Sequence, residues 1–249
     1  MSTSFGALCS DFYVNQKVAL KMDLPAGREP VLELFDRVRR SFPRMDRFRR
    51  FEDELALESP EGESQYTWLS LNGNSIRSGW VNPETVPDAY RFHQLILEVM
   101  PFYLTVSPID VEFVELVFGF DLIAETNRSE VVINALLGRS PLADFVGGDL
   151  ETPLDAQPFI GLCLNEDGTR QAFLEVKPRT RAEEIATGRY DAQPISVYLT
   201  VRQCGPIRAL EELAAIFGTL AGYAERLAEE RVVPYIVIPL RETILSNPR

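Results

Sequence analysis

The chain has 249 residues, 45% of them hydrophobic and 25% charged, so it carries enough apolar surface to build a core without disulfide or metal staples. A formal net charge of −12 disfavours nucleic acid and anionic lipid as partners, because a chain this acidic is repelled by both unless its cations are segregated. Cys9, Cys163 and Cys204 are widely spaced and form no Cys-x-x-Cys, which excludes a disulfide framework and fits a reducing compartment.

Met1 to Ser10 lacks a basic region followed by a long apolar stretch, so we expect no signal peptide and a cytoplasmic protein. Phe12 to Leu24 alternates apolar and polar residues and predicts a strand, broken at Pro25-Ala26-Gly27. Arg28 to Phe42 predicts a helix whose stripe is Val31, Leu34, Phe35, Val38 and Phe42, stopped by Pro43. A basic run, Arg37, Arg39, Arg40, Arg44, Arg47, Arg49 and Arg50, spans its end. It reads as a solvated helix end with Glu33–Arg37 and Asp36–Arg40 pairs, or as a local anion-binding patch; the acidic Glu52-Asp53-Glu54 that follows favours the first.

Three strands are predicted next: Arg47 to Glu58 ending in a Ser-Pro-Glu-Gly turn, Ser64 to Leu71, and Ser75 to Val81, the last two joined by Asn72-Gly73-Asn74. Val86 to Tyr103 predicts a helix with Thr85 and Asp88 as a capping box and Pro87 in its first turn. Val111 to Ala124 reads as a strand, Ser129 to Leu137 as a helix, and Ser140-Pro141 as the opening of a short helix ending at Gly147-Gly148. A loop from Asp149 to Pro158 leads to a hairpin of Phe159 to Asn165 and Gln171 to Lys177. Residues 179–193 read as irregular, Ile195 to Arg202 as a strand, and Pro206 to Arg231 as the longest helix. Pro234 to Leu245 is expected to add a last strand. Val232 to Leu240, with two prolines, is too short to cross a bilayer.

The expected fold class is α+β: one continuous unit with an antiparallel sheet, helices on one face, and two βαβββα-like halves meeting near Ser107 and Pro108. Lys21-Met22-Asp23-Leu24 and Gly119-Phe120-Asp121-Leu122 hold similar places in the two halves. This element order, twice over, resembles the duplicated helix-on-curved-sheet architecture of TATA-binding-protein-like folds. It is also similar in layout to an uncharacterised bacterial family of about this length. The resemblance rests on element order alone and implies no activity and no functional residue.

His93 is the chain's one histidine and lies on the apolar side of its helix, so it reads as a core histidine; any Ser-His or Cys-His catalytic pair has to use it. The P-loop, GxGxxG and GxSxG signatures are absent, and no cofactor or metal is expected from the motifs. Glu175 and Lys177, as Glu-x-Lys at the end of an apolar strand with Asp155 upstream, resemble a PD-(D/E)xK nuclease pattern, which would imply Mg²⁺ chemistry. Strict alternation places Tyr66, Trp68, Trp80, Phe173, Glu175, Lys177, Tyr198 and Arg202 on the sheet face away from the helices. Aromatics with a few charges on an uncovered sheet suit a binding surface for a protein or small ligand, or a self-association contact. The expected role is therefore a non-catalytic binding protein using this face. The nuclease and a structural oligomer subunit are the alternatives, with nucleic acid unfavoured by the acidity and no membrane partner expected.

Overall fold

The computed structural model describes residues 4–25, 27–60, 64–146 and 151–246. The glycine pair expected to end a helix at 147–148 lies outside them, as do residues 61–62 of the expected turn and the start of the loop at 149–150.

The centre of the fold is the antiparallel pairing of β1 (Asp11–Leu20) with β6 (Val111–Ala124). In both strands alternate residues are apolar: Phe12, Val14, Val18 and Leu20 in one, Val114, Leu116, Phe118, Phe120 and Leu122 in the other. All of them are buried under helices. The sheet grows outward on each side of this pair. On the β1 side lie β5 (Ser75–Val81), β4 (Tyr66–Asn72), β3 (Glu54–Glu58) and the edge strand β2 (Arg47–Arg50). On the β6 side lie β9 (Gln193–Cys204), β8 (Arg170–Lys177) and the edge strand β7 (Phe159–Cys163). The nine strands form one antiparallel sheet, and the fold is α+β.

Helices cover one face only. α1 (Arg28–Ser41) buries Val31, Leu34, Phe35 and Val38, the stripe expected from 3.6-residue spacing. α2 (Val86–Leu104) opens on Thr85, whose hydroxyl accepts the Asp88 N–H, and buries Phe92, His93, Ile96 and Met100. α5 (Glu212–Leu227) lays Leu213, Phe217, Leu220 and Ala224 against the second half of the sheet.

Several elements differ from the sequence expectation. β1 ends at Leu20, not Leu24. The strand expected over 47–58 is a hairpin, β2 and β3, because the Phe51 N–H turns back to the Glu54 carbonyl and places Glu52 and Asp53 in the bend. Residues 182–187 form a short helix, α4 (Ala182–Thr187), closed by Gly188 in the left-handed region. The long C-terminal helix begins at Glu212, since Gly205 and Pro206 turn the chain away and single turns at Ala209 and Leu210 precede it. The tail continues this helix instead of adding a strand. The ladder widens to π-helix over Ala228–Val237, accommodating Pro234, and resumes as α6 (Ile238–Ser246). Val232 and Val237, five residues apart, share the buried side of that wider turn, so their hydrophobic spacing is not that of a strand.

Candidate functional site

The open face of the sheet is built by the residues that alternate with the core. Hairpin register decides membership. β4 and β5 pair Trp68 with Gly79 and Thr67 with Trp80, so the two tryptophans point to opposite faces. Trp80 therefore does not belong to the open face, contrary to the sequence expectation. It packs edge-on against Phe42 and Phe92 beneath the helices, with ring centroids at 6.1 and 6.0 Å. Trp68 and Tyr66 do lie on the open face, as do Phe173, Glu175, Lys177, Tyr198 and Arg202.

Two constellations organise that face. In the first, the Arg202 guanidinium stacks over Phe113 at 4.2 Å and lies 5.4 Å from the Phe173 ring centroid. Glu115 on the neighbouring strand holds it through a 2.7 Å ion pair. Phe173 stacks in turn on Phe159 of the edge strand. This is a platform of aromatic rings locked by a paired, half-buried cation. In the second, Tyr13 and Tyr198 meet edge to face at 6.2 Å around the Asp121 carboxylate. Asp121 accepts hydrogen bonds from Tyr13 Oη (3.3 Å) and Ser196 Oγ (2.5 Å). Arg179 donates to Ser196 Oγ at 2.5 Å and to Tyr198 Oη at 2.7 Å. Burial raises the Asp121 carboxyl above its ordinary range, opposed by the Ser196 hydrogen bond and the Arg179 charge. Burial, the Asp121 charge and Tyr198 push the Tyr13 phenol upward, so it remains a donor.

Two glycines let these rings lie flat on the sheet. A Cβ at Gly119 would sit 2.0 Å from the Tyr13 ring, and one at Gly79 would sit 2.4 Å from the Trp68 indole. Gly119→Ala is expected to lift Tyr13 off its strand and destabilise the protein by about 1–3 kcal/mol, read as a lower urea midpoint at unchanged slope.

The second constellation is tethered to a buried hub the sequence does not announce. Arg128, fully buried at the start of α3 (Arg128–Val132), donates to the carbonyls of Pro178 (2.9 Å), Arg179 (3.1 Å) and Asp191 (3.1 Å) and to the Glu184 carboxylate. Asn127 beside it caps α3 and donates to Pro153 O, while Ser129 reaches Leu154 O and Thr180. Arg179 has φ +55, an uncommon conformation for a non-glycine residue, and its carbonyl is one of those Arg128 holds. The hub thus fixes the backbone from which the Arg179 side chain reaches Tyr198. By sequence 179–193 reads as irregular; Arg179 within it and Asp121, which shares its strand with Glu112 and Glu115, are the available signals.

The nuclease-like residues separate into two groups. Glu175 and Lys177 pair with each other at 3.0 Å on the open face, whereas Asp155 is exposed and is held by Gln157 at 2.9 Å. Among the described residues no group of three or more His, Cys, Asp and Glu side chains is arranged to hold a metal ion. His93 does have a serine partner: Ser78 Oγ lies 2.8 Å from Nδ1, and Nε2 donates to the Val14 carbonyl at 3.1 Å. Both side chains are buried beneath the helices, away from any substrate, and burial lowers the His93 pKa to about 3. In the basic run, the ion pair formed on α1 is Asp36–Arg39, Arg37 donates to Ser41, and Arg49 pairs with Glu58. Among the described residues no helix is long and apolar enough to cross a membrane. Comparison with protein-family models finds no match to this chain, and a search of curated proteins finds none either.

Proposed function

We propose that the protein is a non-catalytic binding protein whose ligand or partner docks on the open face of the sheet. The observation that carries this reading is the Phe113–Arg202–Phe173 platform beside the Tyr13–Asp121–Tyr198 cluster. These rings and charges are ordered by stacking, ion pairing and a buried arginine hub while remaining half exposed. Side chains held in fixed rotamers lose little entropy on association, which favours binding. The surface fits a planar or aromatic group that stacks on the rings and meets either Arg202 or Asp121. Glu175 and Lys177 serve here as a rim ion pair. The mirrored strand order about β1 and β6 supports reading the two halves as an internal duplication, with the platform in the second.

The test is a titration of ¹⁵N-labelled protein with 4-hydroxyphenylacetate, indole-3-acetate and benzamidine, two planar anions and a planar cation. Amide shifts are expected to cluster at Tyr13, Phe113, Phe173, Tyr198 and Arg202, and to weaken at least tenfold in Arg202→Ser. Shifts confined to the groove between α2 and α5, around Leu97, Pro101 and Leu213, would overturn the reading.

A further inference from the structure

The two edges of the sheet are unequal. β2 is Arg-Phe-Arg-Arg, a charged edge that repels a second copy of itself. β7 is Phe-Ile-Gly-Leu-Cys, and every residue of it is exposed, with Phe159 at 62%, Ile160 at 53% and Leu162 at 42%. Residues 158–164 carry no charge in a chain whose net charge is −12. No charge, proline or bulge within β7 guards this edge, and nothing among the described residues covers it.

The direction of its backbone groups follows from the ladder. Pro158 O accepts the Val176 N–H and the Leu164 N–H donates to Arg170 O, so with period two Ile160 and Leu162 bond inward to β8. The N–H and C=O groups of Phe159, Gly161 and Cys163 therefore point outward, where another strand or water must satisfy them.

We propose that β7 pairs antiparallel with β7 of a second copy across a two-fold axis at Gly161, joining the two sheets into one. This register is self-complementary. Gly161 meets its own equivalent and Phe159 meets Cys163 of the other copy, so all the outward groups fall in hydrogen-bonded pairs. Ile160 and Leu162 of opposite copies become neighbours on the helix side. On the other side Phe173, which already lies over Gly161, and Phe159 extend the aromatic row across the axis. The second copy is favoured over an unrelated strand because the sequence matches itself in this register. It also brings two acidic molecules together along their uncharged strip. Because β2 is blocked by its arginines, assembly stops at two.

Sedimentation between about 1 and 100 μM, the range over which a modest interface associates, should show twice the 28.1 kDa chain mass. The dimer should tighten as salt screens the acidic surfaces. Cys163→Pro removes an outward N–H and leaves the β8 pairing intact; it is expected to give monomer with an unchanged circular dichroism spectrum and thermal midpoint. Phe159→Cys tests the register. The introduced thiol lies roughly 13 Å from Cys163 in its own strand, too far to bridge, but about 5.5 Å in Cα separation from Cys163 of the other copy. Oxidation should yield a covalent dimer, and Ile160→Cys, on the other face, should not. A monomer throughout the concentration range, with fast amide exchange at Phe159, Gly161 and Cys163, overturns the proposal. So does a dimer that survives Cys163→Pro with those amides unprotected.

Discussion

Replacing Arg128 with methionine is expected to lower the unfolding free energy by about 3–5 kcal/mol, the largest loss from any single substitution considered. The side chain is fully buried and every hydrogen bond it makes goes to an otherwise enclosed acceptor: three carbonyls and the Glu184 carboxylate. Methionine fills much of the volume but leaves the three carbonyls without that donor, and Glu184 keeps only the Arg181 and Asp191 N–H groups and the more exposed Arg181 guanidinium. Burial alone would raise the Glu184 pKa. The Arg181 N–H, Arg128 and the Asp191 N–H reverse that and hold the carboxyl at about 2. That depressed value means stability present above the ordinary 4.5 and lost as pH falls toward 2. In Arg128→Met, Glu184 loses a main anchor, so its acid transition moves to higher pH. Adding Glu184→Gln should restore part of the loss, because a buried carboxylate deprived of its buried cation is part of the cost. An unfolding free energy from urea titration within about 1 kcal/mol of wild type would show that the hub is dispensable. The same variant reports on the open face: amide exchange over 178–191 should quicken and the Arg179–Tyr198 contact should loosen.

The core was more legible in the sequence than the site, for a physical reason. Val31, Leu34, Phe35 and Val38, or Ile195, Val197, Leu199 and Val201, announce their faces because each element repeats its own period. The open face depends on register between strands, which single-strand alternation does not determine. Trp80 shows the cost. Alternation within Ser75–Val81 is compatible with either phase, and only the two-residue turn at Gly73-Asn74 fixes Thr67 opposite Trp80. Counting across that turn would have put Trp80 under the helices. Tyr13 and Asp121 were overlooked for the converse reason, since a polar residue inside an apolar strand reads as solvent-facing until its cross-strand neighbours are known. Arg128 was less accessible still: its partners lie 50 to 63 residues away in segments without periodicity. The tail, expected as a strand, is helical instead, because a π-helical stretch accommodates Pro234 and lets the helix run on.

Acid should unfold this protein chiefly through His93. Burial holds its pKa at about 3, against an ordinary 6.5, so the folded state refuses a proton that the unfolded chain accepts. Stability from this residue is complete above pH 6.5 and is lost as pH falls from 6.5 toward 3, at about 1.4 kcal/mol per unit. Glu184 acts with the same sign but only below 4.5. Asp121, raised chiefly by burial, opposes both by taking its proton earlier in the folded state, and Asp121→Asn removes that term. Between pH 6.5 and 4.5 an Asp121→Asn background should therefore lose about 2–3 kcal/mol, with His93 responsible for most of it. Charging the imidazole in place puts an ion inside the apolar core. Nε2 already donates to the Val14 carbonyl, and Nδ1 accepts from Ser78 Oγ, whose other acceptor within reach is Gln16 Oε1 at 3.4 Å. A proton on Nδ1 would turn the Ser78 hydroxyl toward Gln16 Oε1, leaving desolvation of the imidazolium as the cost. His93→Gln keeps a donor for Val14 and carries no titratable proton. It should cost about 1–3 kcal/mol at pH 7 and flatten the slope between 6.5 and 4.5 while leaving the steeper loss below 4.5 in place. Urea midpoints measured across pH 4.5–7.5 decide the matter, and an unchanged slope in His93→Gln would assign the acid sensitivity to other groups.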